Sequence, residues 1–116
     1  MKPVKIILNN SQEKKFFVDA MLGKFAKKLR MFGYDTLYFS TIGDEDILEI
    51  IKIQKRILIT KDRKLHQKAS KNYSKSVLLV GYNEISQFIQ LKNNLELENF
   101  TIDPNTARCT LCNCFL

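Results

Sequence analysis

Three aspartates stand where a strand-like run gives way to a helix-like run. Asp19 follows the apolar "FFV", Asp62 closes "RILITKD", and Asp44 opens the helical pattern "DEDILEI". Ligands of open parallel sheets bind outside the carboxyl ends of the strands, because loops and helix N-termini converge there. We therefore expect the three carboxylates to lie together at one edge of a sheet.

The acidic run after Gly43 offers three carboxylates, and helical spacing separates them. Asp44 shares a helix face with the apolar positions that follow it, whereas Glu45 and Asp46 point more to solvent. Asp44 is also a suitable N-cap residue for this helix. Taken alone, Asp44 and Asp62 could each be only a helix cap, but Asp19 lies several residues before its helix pattern begins.

Three carboxylates at one edge would repel one another, at a cost of several kcal/mol unless cations neutralise them. Mg²⁺ or Mn²⁺ suits an oxygen-rich site of this kind, keeping some waters and binding substrate phosphate in the remaining positions. Such an ion can activate water and stabilise charge on a phosphodiester. The pattern therefore makes Asp19, Asp44 and Asp62 candidates for a metal site that could act on a phosphodiester, and the interpretation as helix caps stays open beside it.

The charge of the chain points to a polyanionic partner. Nineteen Lys and Arg against twelve Asp and Glu give a net charge of +7, which favours nucleic acid over an acidic protein. Lys24 and Lys28 belong to the outer face of the first predicted helix, and Lys61 and Arg63 flank Asp62. These side chains are candidate donors to phosphate oxygens.

The elements that must position these residues alternate between two periods. Strand-like runs recur at residues 16–18, 36–39, 56–59 and 76–80, and helical patterns follow at about residues 22–32, 44–51, 63–71 and 84–97. In the last helix, Ile85, Phe88, Ile89 and Leu95 are expected to face the core. The order predicts an α/β fold, with a mostly parallel sheet covered by helices on both faces.

A chain of 116 residues with 45% hydrophobic residues predicts one globular core. We expect an N-terminal extension at residues 1–14, in which "VKIIL" could be an extra strand, a core at 15–98 and a tail at 99–116. No leader pattern opens the sequence and no apolar run approaches the ~20 residues of a membrane helix, which favours a cytoplasmic protein. Monomer and homodimer both stay open.

Competing functions fit the motifs less well. A phosphoryl-accepting receiver would need an adjacent acidic pair at the first strand, and "FVDAM" has one acid. Neither a dinucleotide-binding nor a P-loop glycine motif is present. His66, the single histidine, is interpreted as an exposed helix residue rather than a general base. The alternative kept open is a non-catalytic RNA-binding or toxin-like interaction module on the same fold.

Five blocks of the sequence together resemble a known family. The blocks are "FVDAMLGKFAKKLRMFGYDTLY", "GDEDILEI", "RILITKDRKL", "VLLV" and "RCTLCN". Over about residues 16–116 they resemble the PIN-like ribonucleases known as the Mut-seven C-terminal ribonuclease domain. The resemblance implies a PIN-like three-layer α/β/α sandwich, a zinc-ribbon-like segment after it, and metal-dependent cleavage of RNA, with single-stranded RNA as the expected partner.

The resemblance also implies roles for single residues. Asp19 matches the aspartate before "AMLGK", Asp44 the acid that opens the second helix, and Asp62 the aspartate of the "TKD" block, so all three are expected as metal ligands.

Basic positions of the family are matched as well. They fall on Lys24, Arg30 and Arg63, which are expected to contact RNA phosphate.

The end of the chain departs from the family pattern. Cys109, Cys112 and Cys114 supply at most three thiolates, one short of the four ligands of a structural zinc site, and the family's second cysteine pair is missing. Either the ribbon is truncated or it is degenerate, and we expect no well-occupied Zn²⁺ there. The alternative is a frayed tail with reactive thiols.

Overall fold

The computed structural model describes residues 14–116, where four strands alternate with four α-helices. The elements are β1 (Lys15–Val18), α1 (Gly23–Met31), β2 (Asp35–Tyr38), α2 (Asp44–Gln54), β3 (Ile57–Thr60), α3 (Arg63–Lys71), β4 (Ser76–Leu78) and α4 (Glu84–Leu95). A 3-10 turn at Ala20–Leu22 joins β1 to α1. The predicted alternation is confirmed, whereas the extra strand expected in "VKIIL" lies outside the described residues.

The four strands form one parallel sheet in the order β2-β1-β3-β4. Successive residues of β1 point to opposite faces, so Phe16 and Val18 pack into the core under α1 and α4, while Phe17 packs into the core under α2 and α3. Both faces of the sheet are covered. The predicted three-layer α/β architecture is confirmed.

The two helices that carry Asp62 and Asp44 at their starts begin in different ways. The Asp62 side chain accepts hydrogen bonds from the backbone N–H groups of Lys64 and Leu65, which caps α3. The N-cap of α2 is Gly43. Asp44, which was expected to be the N-cap, is instead the first residue of the helix. An acid in the first turn still interacts favourably with the helix dipole.

The inward face of α4 differs from the expected one. Ile85 and Ile89 are 74% and 54% exposed, whereas Gln87 and Leu91 are buried. The Gln87 amide donates to the Gly81 carbonyl oxygen at 3.1 Å. Because β4 is an edge strand, the backbone at its carboxyl end needs partners from α4, and glutamine supplies them where isoleucine cannot.

Two of the four expected contacts of α4 are correct. Phe88 and Leu95 pack against the core, and Phe88 stacks on Phe25 with ring centroids 4.2 Å apart. The helix therefore covers the sheet with one edge of its expected apolar stripe and leaves the other in solvent.

The segment after α4 packs back on the body instead of fraying. Ala107 is buried, and the Phe100 ring contacts Phe32 and Phe88. The backbone N–H of Arg108 donates to the Arg30 carbonyl oxygen at 2.8 Å, at the end of α1. No helix within residues 14–116 is long and apolar enough to cross a membrane.

Candidate active site

Asp19 lies directly after β1, one of the two central strands, at the carboxyl edge of the sheet. Its backbone N–H donates to the Ile59 carbonyl oxygen at 3.0 Å, which fixes the residue against β3. Its Oδ1 accepts from the Ala20 N–H at 2.7 Å and caps the 3-10 turn. The carboxylate is half-buried and held in one orientation.

A buried threonine hydroxyl joins Asp19 to the loop that carries Asp62. The Thr60 Oγ1 donates to the Asp19 Oδ2 at 2.8 Å and accepts from the Asp62 backbone N–H at 2.9 Å. Thr60 is fully buried at the end of β3. Sequence reasoning quoted the "TKD" block but missed Thr60; the available signal was a hydroxyl residue closing a buried strand two positions before an acid.

Asp62 is an exposed helix cap that retains a second carboxylate oxygen. Its Oδ1 takes both backbone donors of α3, and no hydrogen bond within residues 14–116 reaches Oδ2. Lys61 and Arg63 on either side of it are exposed. The Asp62 side chain therefore caps α3 with Oδ1 and leaves Oδ2 accessible to a ligand.

Asp44 lies at the N-terminus of α2 and faces α3. Its carboxylate, 44% exposed, is 3.5 Å from the Lys68 Nζ. Among residues 14–116, no group of three or more His, Cys, Asp or Glu side chains is placed so that it could hold a metal ion. The structure thus links Asp19 with the Asp62 loop through Thr60, but the three acids do not form the expected cluster within the described residues.

The expected phosphate-binding cations divide into two sets. Lys24 is exposed, like Lys61 and Arg63, whereas Lys28 forms an ion pair with Glu84. The pair is solvent-exposed on both sides, so it constrains Lys28 only weakly.

Arg30, a position expected to contact RNA phosphate, lies inside the structure. Its side chain is 6% exposed, and its guanidinium donates to the carbonyl oxygens of Thr36 and Thr110 at 2.9 and 2.8 Å. Those bonds join α1 to β2 and to the C-terminal segment. Arg30 therefore has a structural role in the fold. The sequence pattern alone could not distinguish it from the exposed cations.

His66 is half-buried rather than exposed. Its Nδ1 lies 2.7 Å from the Ser76 Oγ at the start of β4. This bond directs the ring toward β4 and gives it a structural partner.

The three cysteines form a tight turn at the C-terminus. The backbone N–H groups of Leu111 and Cys112 hold the pKa of the Cys109 thiol below its ordinary value. The Cys114 N–H lowers the pKa of the Cys112 thiol, but hydrogen bonds with the neighbouring thiols outweigh it and raise that pKa. Backbone N–H groups that point at the Cys109 sulfur favour its thiolate form.

Residues 14–116, almost the whole chain, match the family model described as the Mut7-C RNAse domain. The chain belongs to the Mut7-C RNAse domain family. This membership gives the Mut7-C chain a ribonuclease type of function, with RNA as its substrate or partner. None of the curated proteins matches the chain.

Proposed function

We propose that this Mut7-C domain is a metal-dependent ribonuclease whose reaction takes place at the carboxyl edge of the sheet. Asp19 and Asp62 would be the main ligands of Mg²⁺ or Mn²⁺, and Asp44 would be the third acid. The observation that carries the proposal is the buried Thr60 hydroxyl, which binds the Asp19 carboxylate and the Asp62 backbone together. The family assignment supplies the class of substrate.

The donor set fits a water-rich ion. Mg²⁺ is usually bound by one or two carboxylates, with waters and substrate phosphate in the other positions. Each Asp19 oxygen accepts one hydrogen bond and keeps a lone pair, and the Asp62 Oδ2 keeps both. Asp44, whose carboxylate lies beside Lys68, would act through water or through its charge.

The surrounding residues would position RNA for this chemistry. When bound, the ion would supply an activated water and neutralise charge on the attacked phosphodiester. Thr60 orients the Asp19 carboxylate, and the exposed Lys24, Lys61 and Arg63 would bind phosphates that flank the scissile bond. Single-stranded RNA is the substrate to test first.

A second candidate function has its own support. Asp62 caps α3, Asp44 pairs with Lys68, and no three-acid group forms within residues 14–116. A module that binds RNA without cutting it would have the same features. The two functions make opposite predictions for the aspartates.

The decisive change is Asp19→Asn, which removes charge at nearly constant shape: the amide oxygen can still accept the Ala20 N–H, and the amide NH₂ can donate to the Thr60 hydroxyl oxygen in place of the bond that the carboxylate accepted. A ~100-fold or greater loss of cleavage is expected, because metal-assisted charge stabilisation is worth several kcal/mol and each ~1.4 kcal/mol is tenfold in rate. RNA binding should fall much less, since cations carry it. The assay follows a labelled single-stranded RNA in Mn²⁺ or Mg²⁺, with EDTA as a blank.

Matched variants complete the experiment. Asp62→Asn should also lose cleavage while keeping its helix cap, because asparagine is an equally good N-cap. Asp46→Asn changes an exposed acid of α2 and should leave cleavage unaltered. Equal cleavage by all variants, or cleavage that is indifferent to EDTA, would reject a metal-dependent nuclease built on these aspartates and favour the RNA-binding module.

A further inference from the structure

A second site lies at the opposite edge of the sheet from Asp19. A cavity of about 590 Å³ opens where β1, β3 and β4 begin, between the ends of α2 and α3. We call it the basic cavity, because six cationic residues line it: Lys14, Lys15, Lys52, Lys55, Arg56 and Lys75. Among the described residues, no acid lines it.

The positive charge of the basic cavity is largely uncompensated. Arg56 is buried and pairs with Asp35 at 2.8 Å, so it is neutralised. The five lysines form no ion pair with any acid of residues 14–116. The C-terminal ends of α2 and α3 point here, but each helix contributes only about half a negative charge. A surplus of roughly four positive charges attracts anions.

The end of α3 presents an aromatic ring at the rim of this cavity. The Ser74 N–H donates to the Ala69 carbonyl oxygen and the Tyr73 N–H to that of Ser70, so Tyr73 occupies the left-handed position of a Schellman turn at φ 62°. Glycine is favoured there, and tyrosine is 97% exposed. The ring therefore adds no packing to the fold.

The end of α2 repeats this choice with a cation. Lys55 closes the helix at φ 55°, and the following Arg56 N–H donates to the Ile51 carbonyl oxygen at 3.0 Å. Two helix ends thus carry, where glycine is favoured, side chains that both line the basic cavity. Both side chains can contact a ligand in the cavity: Lys55 offers a cation, and Tyr73 offers an aromatic face on which a base can stack.

We propose that the basic cavity is a second RNA-binding site, where phosphates of a single strand contact Lys52, Lys55 and Lys75 and a base stacks on Tyr73. Cations spread over α2 and the segment before β4 match an extended phosphate chain better than one small anion. The strands are only three or four residues long, so about 10 Å of sheet separates the two edges. A longer RNA could occupy both.

The site rests on the proposed function only in its choice of RNA as ligand. RNA held in the basic cavity leaves the carboxyl edge free and raises the local concentration of the same strand there. Short RNAs that reach one edge should gain nothing from it. The contribution of the basic cavity to binding and cleavage should therefore depend on RNA length.

The first test compares two double variants of equal charge by fluorescence anisotropy of a labelled single-stranded RNA of about 20 nucleotides, in EDTA so that nothing is cut. Lys52→Gln/Lys75→Gln should weaken binding about fivefold or more and reduce the slope of log affinity against log salt by about 1.4. The control Lys27→Gln/Lys92→Gln, outside the cavity, should change affinity less than about twofold. Equal losses in both would overturn the site.

The second test separates the ring from the fold. Tyr73→Gly should keep or raise the melting temperature, because glycine suits the left-handed position, yet weaken RNA binding about fivefold or more through lost stacking. Tyr73→Phe keeps the ring and should bind as wild type. Unchanged affinity in Tyr73→Gly, or competition by pyrophosphate as effective as by RNA, would overturn the proposal in favour of no site or a small-anion site.

Cleavage assays keep this proposal distinct from the nuclease. Cleavage of an RNA of about five nucleotides should be equal in wild type and in Lys52→Gln/Lys75→Gln, whereas cleavage of the longer RNA below saturation should fall in the variant. If wild type cuts neither RNA, the nuclease fails and the anisotropy comparison still decides the basic cavity. Equal loss with both lengths would overturn the length dependence.

Discussion

At the scale of single residues, the buried Thr60 hydroxyl explains why an acid is tolerated directly after β1. A buried hydroxyl needs partners, and Thr60 finds an acceptor in Asp19 and a donor in the Asp62 backbone. The bond also orients the Asp19 carboxylate without placing a positive charge beside it, since a hydroxyl carries no charge. An acid that is oriented and not ion-paired within residues 14–116 remains able to bind a cation.

Asp35 illustrates the opposite use of a carboxylate. It accepts from the Arg56 Nη1 and the Asn113 Nδ2, both at 2.8 Å, and so joins β2 to β3 and to the C-terminal segment. Burial would raise the pKa of Asp35, but the hydrogen bonds from Arg56 and Asn113 outweigh it and hold that pKa below its usual range. This carboxylate is a structural one.

The lowered pKa of Asp35 predicts a pH-dependent loss of stability. A depressed carboxyl pKa contributes stability above the ordinary value of 3.8, and the contribution is lost as pH falls through the folded-state pKa. At pH 7, Asp35→Asn should cost about 2–3 kcal/mol, because Arg56 would stay buried without its counter-charge. Melting temperatures of wild type and variant should converge as the solution is acidified below about pH 4.

Asp46→Asn serves as the control for this measurement. Asp46 is exposed and forms no ion pair among the described residues, so its melting temperature should follow wild type at every pH. A gap between Asp35→Asn and wild type that stays constant into acid would show that Asp35 contributes shape rather than charge.

At the scale of elements, the sequence predicted what local chemistry determines. The bounds of α3 were expected at residues 63–71 and are found there, because Asp62 caps the start and basic residues mark the end. The strands were recognisable since buried parallel strands are continuous apolar runs. The carboxyl-edge positions of Asp19 and Asp62 follow from the same alternation.

What the sequence could not predict depends on contacts between distant elements. The strand order β2-β1-β3-β4 has no local signal, and neither has the Lys68 partner of Asp44. Gln87 turns inward because an edge strand needs hydrogen bonds, so the apolar period misassigned Ile85 and Ile89. In each case a tertiary partner overrode a correct local pattern.

Arg30 offers a test at this scale, because the sequence pattern suggests that it contacts phosphate whereas the structure shows it joining α1 to β2 and to the C-terminal segment. Arg30→Met removes the donors to Thr36 and Thr110 while keeping much of the buried stem. The free energy of unfolding should fall by about 2–3 kcal/mol, because one buried and one partly buried carbonyl oxygen lose charge-assisted hydrogen bonds. Denaturant titration measures the change.

RNA binding separates the two interpretations of Arg30. If the residue is structural, Arg30→Met should bind RNA with the salt dependence of wild type under conditions where both are folded. Lys61→Met, an exposed neighbour of Asp62, is the matched control and should lower the salt slope by about 0.7. If Arg30→Met lowers the slope of log affinity against log salt as Lys61→Met does, Arg30 contacts phosphate in the RNA complex, and a purely structural role is wrong.

At the scale of the whole molecule, the charges sort along the strand direction. The acids Asp19, Asp44 and Asp62 lie at the carboxyl edge, where the N-terminal ends of α2 and α3 reduce their mutual repulsion. The lysines of the basic cavity, which form no ion pair within residues 14–116, lie at the amino edge, around the C-terminal ends of α2 and α3. The net charge of +7 is thus partly concentrated at the edge away from the acids.

This distribution predicts how RNA binding responds to salt. Three cations at the carboxyl edge, Lys24, Lys61 and Arg63, and three in the basic cavity give a slope of log affinity against log salt of about −4, at about 0.7 per neutralised phosphate. Affinity for a single strand that reaches both edges should then fall roughly 300-fold between 50 and 200 mM salt. An oligonucleotide analogue with an uncharged backbone is the control and should not bind measurably. A slope near −2 would mean that one edge alone holds RNA, and a flat response would contradict a phosphate-binding surface at either edge.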